Sequence, residues 1–174
     1  GIVLWHIMAI SLQVWYGVPW PLAILIVFVC ACIFGAINGL LVEIAQIDSF
    51  IATLGTGTIL YSLALWATGG QQVIGHLDPA FVATAMANVG GVPILAIYVG
   101  VAALIMWVIA ERLPLGRYIY AIGANEKAAA LNGIPVRRYV IGAFINSSAL
   151  TALNGCLIAG KFKVGQARDG LDFL

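Results

Sequence analysis

The chain has 174 residues, of which 63% are hydrophobic and 9% charged, and its eight basic and seven acidic side chains leave a net charge of +1. An ordinary soluble domain carries about 25% charged residues, whereas residues 1–42 here contain no Asp, Glu, Lys or Arg at all. These figures exclude a soluble enzyme, a disordered linker, a disulfide-stapled secreted module and a nucleic-acid-binding surface, and they make lipid the main solvent of the chain.

A helix rises about 1.5 Å per residue, so crossing a hydrocarbon core about 30 Å thick takes about 20 apolar residues. The first apolar stretch, 1–16, is short of that. It has no basic flank and no clear cleavage site, which argues against a signal peptide, and it reads as the remnant of a span cut by the boundary of the fragment. Gly17-Val18-Pro19-Trp20-Pro21 is a tight turn whose second proline can open the next helix. The second stretch, 21–42, carries Ala31, Gly35 and Gly39 at every fourth position. That spacing makes a small-residue stripe against which a neighbouring helix can pack closely. Asn38 sits beside the stripe, where an interhelical hydrogen bond or the lining of a pathway would suit it.

The third stretch, 50–68, packs Thr53, Gly55, Thr56, Gly57 and Thr58 into its first third. Thr53, Thr56 and Gly57 share a face at separations of three and four. Weakly helical backbone at membrane depth is tolerated where it lines a cavity or is buried in protein. A broken or re-entrant helix and a closely packed one are therefore both open here. A Gly-rich polar loop follows, with Gly69-Gly70-Gln71-Gln72 at its head and Gly90-Gly91-Val92-Pro93 returning the chain to the membrane. The fourth stretch is 93–110. The fifth, 139–159, bears Ser147, Thr151 and Asn154 as a polar stripe, for which a bundle interior suffices and a solute pathway is the alternative. Trp5, Trp15, Tyr16, Trp20, Trp66, Tyr98 and Trp107 mostly fall near span ends, where amphipathic rings prefer the interface. The expected fold is an all-α polytopic transmembrane bundle of about five spans, with the third left open between a broken or re-entrant helix and a closely packed one. It forms a single membrane domain over 1–174, truncated at both ends.

Orientation follows from the basic residues. None occurs in 1–110, whereas Arg112, Arg117, Lys127, Arg137 and Arg138 crowd into 111–138. The positive-inside rule places that loop in the cytoplasm. Alternation then puts 69–92 outside and 43–49 inside. Lys161, Lys163 and Arg168 fall on the outer side and oppose the assignment, five against three.

Catalytic chemistry is not encoded. His6 and His76 have no carboxylate or cysteine at ligand spacing, so no metal site is expected. Cys30-Ala31-Cys32 lacks redox spacing, and Cys156 stands alone in an apolar run. Nucleophile-elbow, dinucleotide and phosphate-loop patterns are missing. The chain is expected to bind no cofactor and to hydrolyse no ATP itself.

The segment 115–138 holds a very short helix with marked ends. Asn125 can cap it and Glu126 suits the first turn. Ala128, Ala129, Ala130 and Leu131 favour helix, Gly133 supplies a left-handed stop, and Pro135 prevents resumption. A helix of under two turns is unstable alone in water. An alanine face could rest in a groove of a partner protein; a solvated connector is the bland alternative.

This segment resembles the coupling loop of ABC importer permeases, in particular the family of ribose, xylose and related sugar permeases. The pattern G-R-Y-x-Y-A-I-G-x-N-x-x-A-A-x-x-x-G-I runs from Gly116 to Ile134. Two further blocks agree: Gly35-Ala36-Ile37-Asn38-Gly39-Leu40-Leu41-Val42, and Phe50-Ile51-Ala52-Thr53-Leu54-Gly55 followed by Thr68-Gly69-Gly70. Relatives often carry Pro before the Phe, where this chain has Asp48-Ser49.

The resemblance implies a multi-pass subunit of the prokaryotic cytoplasmic membrane. It would pair with a second permease subunit, two cytoplasmic ATPase subunits that hydrolyse the ATP, and an extracytoplasmic solute-binding protein. It also implies a coupling role for Gly116, Arg117, Gly123, Asn125, Glu126, Ala128, Ala129 and Gly133. Asn38, Thr53, Thr56, Gly57, Ser147, Thr151 and Asn154 remain pathway or helix-packing candidates. The cargo would be a pentose or related sugar. An ATP-independent secondary transporter or channel is the main alternative, and a non-transporting scaffold subunit the second.

Overall fold

The computed structural model describes residues 1–71, 73–74, 77–162 and 164–165. Gln72, His76, Lys163 and Arg168, named above, lie outside the described residues. Eight helices are described: α1 (Ile2–Val14), α2 (Trp20–Glu43), α3 (Ser49–Thr68), α4 (Pro79–Met86), α5 (Ile94–Arg112), α6 (Pro114–Ala124), α7 (Glu126–Leu131) and α8 (Val136–Phe162). Four of them, α2, α3, α5 and α8, are long and apolar enough to cross a membrane. Their ends fall within three residues of the apolar stretches read from the sequence. At 13 residues, α1 reaches only about two-thirds of the way through a hydrocarbon core.

The bundle is organised around α8. A side chain at Gly35 would put its Cβ 2.8 Å from the Ile145 Cα and the Phe144 carbonyl oxygen, and one at Gly39 would lie 2.9 Å from the Ile141 Cα. These contacts run in opposite directions along the two helices, so α2 and α8 are antiparallel with backbones touching. The buried row on α2 is longer than the sequence suggested: Ala23, Val27, Ala31, Gly35 and Gly39 are all buried. Two further glycines extend the pattern on α8 itself. Gly155 backs onto Trp5 and the His6 amide of α1, and Gly160 onto Ala85 of α4. Without water to drive helices together, close backbone approach supplies dispersion contact over the whole seam. Trp5 of α1 meets Phe34 of α2 edge-on, with centroids 5.7 Å apart. Trp5 is only 1% exposed. It is a core side chain and not the interfacial anchor that its place near a chain end suggested. Trp15, Tyr16, Trp66 and Trp107 are exposed.

Three expectations are corrected. The third span is one uninterrupted helix, neither broken nor re-entrant. Its threonines stay inside the helical hydrogen-bond system: the Thr53, Thr56 and Thr58 hydroxyls donate to the Ser49, Ala52 and Leu54 carbonyls at 2.8, 2.9 and 3.1 Å. Back-bonding of this kind satisfies a hydroxyl without breaking the backbone. The segment 69–92 is more than a polar loop. It contains α4, capped by Asp78, whose Oδ1 accepts from the Ala80 amide at 2.8 Å, and Phe81 from this helix is 1% exposed in the core. Two short antiparallel ladders complete that side: β1 (Val73–Ile74) with β4 (Val164–Gly165), and β2 (Asn88–Val89) with β3 (Val92–Pro93). Last, the segment 111–138 holds two helices, α6 and α7, where one was expected.

Candidate functional site

The end of the bundle that carries residues 111–138 is built at the junction of α5, α6, α7 and α8. Leu113 is extended, at φ −93° and ψ 151°, as a residue before proline tends to be. That ends α5 at Arg112, and Pro114 then opens α6 from a first-turn position where its missing N–H costs nothing. The bend is tight enough that a Cβ on Gly116 would fall on the Ala110 carbonyl oxygen. Only glycine fits there. Along α6, Leu115 and Ile119 turn the same way toward α8, and the Tyr118 ring packs on Tyr139 at 5.4 Å between centroids.

The next turn is the short helix. Asn125 closes α6 and caps α7: its Oδ1 accepts from the Ala128 amide at 3.0 Å. Asn132 donates its Nδ2 to the Ala128 carbonyl at 2.8 Å, and Gly133 takes the left-handed conformation at φ 78°. The amides of Gly133 and Ile134 turn back to the Ala130 and Ala129 carbonyls at 3.0 and 3.2 Å. Both ends of α7 are thus satisfied by local bonds, which is how six residues hold a helical turn. Ala129 is buried against the protein, while Glu126, Ala128, Ala130 and Leu131 point outward. Leu131 is 90% exposed. The outward apolar feature is therefore this leucine as much as an alanine face.

Between the end of α5, α6 and the start of α8 runs a groove of about 450 Å3, walled by Ile109, Leu115, Ile119, Gly142 and Ala143, with Arg138 and Tyr139 along it and Asn146 at its membrane end. The Asn146 amide donates to the Met106 sulfur at 3.7 Å, tying α8 to α5. On α5 the Arg112 guanidinium lies over the Trp107 ring at 5.6 Å, a cation–π contact at the membrane border.

The residues singled out in the sequence separate into two groups. Gly116, Asn125, Ala128, Ala129 and Gly133 belong to one unit, α6 with α7, and fix its shape. Arg117, Gly123 and Glu126 are exposed on it. The second group is dispersed. Asn38 is half-buried with its Oδ1 unpartnered. Thr56 falls on the α3 row that includes buried Ala52, Leu60 and Ala64, whereas Thr53 is exposed and a side chain at Gly57 would meet nothing. Ser147 and Asn154 are exposed and Thr151 is half-buried, its hydroxyl donating to the Ser147 carbonyl at 2.7 Å. Two members of the expected bundle-interior stripe, Ser147 and Asn154, thus lie on the exposed side of α8, because Gly155, Cys156 and Ala152 take the inward face, while the Thr151 methyl borders Gly1 at the start of α1. Sequence reasoning missed α6 and the groove. The Leu113-Pro114 boundary and the Leu115, Ile119, Ile122 spacing were the available signals. Among the described residues no cluster of His, Cys, Asp or Glu could hold a metal ion.

Residues 3–174 match the family described as branched-chain amino acid transport system / permease component. The chain belongs to that permease family. It is similar to the galactose/methyl galactoside import permease protein of Haemophilus influenzae, 31% identical over 90% of this chain and 48% of the relative. It is 32% identical to the ribose import permease protein of the same organism, over 89% of this chain and 49% of the relative. The D-allose transport system permease protein of Escherichia coli is 34% identical over 80% and 42%. The likeness to sugar permeases read from residues 35–42, 50–55 and 116–134 is thereby borne out. This chain spans about half the length of these relatives. No solved structure matches it. Four membrane-crossing helices in a permease of this family make it a multi-pass protein of the bacterial inner membrane.

Proposed function

We propose that this permease chain forms part of the membrane pathway of an ATP-driven sugar importer, and that α7 is the element by which cytoplasmic ATPase subunits move it. The observation that carries the reading is α7 itself, a self-capped helix that stands out from the inner face with Leu131 90% exposed. An exposed leucine on a stiff, backbone-satisfied turn is suited to a socket in a second protein. Displacement of α7 would reach α5 through α6 and the Gly116 bend, and α8 through Val136, which is buried beside it. Discrete shifts of packed helices are how such displacements open and close a path.

The cargo in this reading is a pentose or related sugar, handed over by an extracytoplasmic binding protein. Support comes from the ribose, galactose and allose permeases to which the chain is similar; the amino-acid wording of the family description is the broader class. The partners are a second permease subunit, two ATPase subunits and the binding protein.

The test is Gly133→Leu in the full-length permease with its partners, reconstituted in vesicles. The left-handed φ at 133 is strained for any side chain. ATP-driven uptake is expected to fall more than tenfold while ATP hydrolysis continues. Unchanged uptake rejects the coupling role. Uptake without ATPase subunits would instead support a secondary transporter.

A further inference from the structure

We propose that the groove between α5, α6 and α8 is a binding site for an anionic phospholipid of the inner leaflet, with its phosphate on Arg138 and an acyl chain along Ile109, Gly142 and Ala143. The positive-inside rule puts 111–138 in the cytoplasm, and on that reading the groove opens at the inner border of the bilayer, beginning beside Pro135 and Arg138 and running toward Asn146 within α8. Its walls are apolar apart from one guanidinium and the aromatic Tyr139 near the mouth and one amide at the far end. That amide is already engaged by Met106. No carboxylate pairs with Arg138 among the described residues, and Arg112, Arg117 and Arg137 belong to the same basic segment, 111–138. A cavity with a cationic mouth and an apolar floor, set at headgroup depth, matches a molecule with an anionic head and a hydrocarbon tail. Basic pockets between helices on the cytoplasmic side recognise such headgroups.

The floor has a further property. A Cβ added at Gly142 would meet nothing within 4 Å, so the hydrocarbon can lie directly against the α8 backbone. The site also sits under α6, the element joining α5 to α7. A tail held there would set the resting distance between α6 and α8. The binding claim itself does not depend on the cargo or on the coupling role of α7.

The experiment uses the full-length permease in nanodiscs of mixed phosphatidylglycerol and phosphatidylcholine, with retained lipids counted by native mass spectrometry. Wild type is expected to retain phosphatidylglycerol in preference to phosphatidylcholine. Arg138→Gln should lower that preference about fivefold, the effect of one basic side chain near an anionic surface, and Arg138→Lys should restore most of it. Gly142→Leu, whose Cβ would meet nothing within 4 Å, puts a side chain into the groove and should lower retention of both lipids. Excess inorganic phosphate should displace nothing; displacement would make the site one for free phosphate and overturn the lipid assignment. Equal retention of the two lipids by wild type, or Gly142→Leu and Arg138→Gln both matching wild type, overturns the proposal. So does a cross-link from Gly142→Cys to another protein segment, which would show a helix in the groove.

Discussion

The helix α2 of the α2–α8 seam and the helix α5 of the α5–α7 unit are both strongly apolar in sequence yet differ sharply in packing. Along the seam, Gly35 and Gly39 bring two backbones into contact, and five residues of α2 at every fourth position are buried. On α5 no residue is buried at all, and its glycine, Gly100, faces open space. Hydropathy reports that a segment prefers lipid or protein to water. It cannot say which, because a lipid tail and a leucine offer the same environment. Small residues in register decide the matter. The seam is the fixed part of the chain, and the α5–α7 unit is the part held by a few joints: the Gly116 bend, the Tyr118–Tyr139 contact and the Asn146–Met106 bond.

The largest effect is expected where backbone meets backbone. Gly35→Leu has nowhere to place even its Cβ, since the Ile145 Cα and Phe144 carbonyl are main-chain atoms that cannot swing aside. Forcing the helices apart should cost about 3 kcal/mol or more. Thermal unfolding in detergent, followed by tryptophan fluorescence, reads it directly. A melting temperature equal to wild type would mean that α2 and α8 do not meet along this line.

Gly116→Ala should come next. Its Cβ would fall on the Ala110 carbonyl, so α6 must shift or the last turn of α5 must open, at about 2 kcal/mol by the usual cost of overpacking. The damage should stay local. Hydrogen exchange is expected to rise across residues 110–124 while the α2–α8 seam keeps its protection. Loss of protection along the seam as well would show that the two regions are not separable.

How much of this was legible beforehand follows from the same contrast. The spans, the stripe of Ala31, Gly35 and Gly39, and both ends of α7 could be read because each depends on residues close in sequence. Asn125 needs only Ala128, and Gly133 needs only its own φ. What the sequence could not supply was direction. Trp5 looked like an interfacial ring, but Phe34 and Gly155, far along the chain, enclose it. Ser147 and Asn154 looked like bundle interior, but Gly155 and Cys156 claimed that face of α8. Thr53, Gly55, Thr56, Gly57 and Thr58 suggested a broken helix because such residues make weakly helical backbone, and the back-bonds that keep the threonines within the helix leave no sequence signature. In α6, Gly116 and Gly123 disguised a helix that Pro114 should have announced.

A smaller effect sharpens the description of the α5–α7 unit. Asn125→Ala removes the acceptor of the Ala128 amide, and loss of an N-cap costs about 1 kcal/mol. Because α7 is short, that loss should appear as faster amide exchange at Ala128 and its neighbours, with little change in global melting. Asn125→Ser should recover most of the protection, since a serine hydroxyl can accept the same bond. Equal exchange in all three proteins would mean that contacts with α6 and α8, and not the cap, hold α7 in shape.

The finest comparison uses one substitution in two places. Gly39→Ala and Gly100→Ala each add one methyl group to a membrane-spanning helix, and each gains helix propensity of up to about 1 kcal/mol. At Gly39 the methyl would lie 2.9 Å from the Ile141 Cα, too close for any real Cβ, so the gain is outweighed and the protein should lose stability. At Gly100 the methyl meets nothing within 4 Å, so the propensity term stands alone and the protein should be unchanged or slightly more stable. Opposite signs in paired unfolding measurements would distinguish packing from propensity within one chain. The same sign at both positions would mean that α5, like α2, already rests on a neighbour along the row through Gly100, and the division into a fixed seam and a loosely held unit would have to be redrawn.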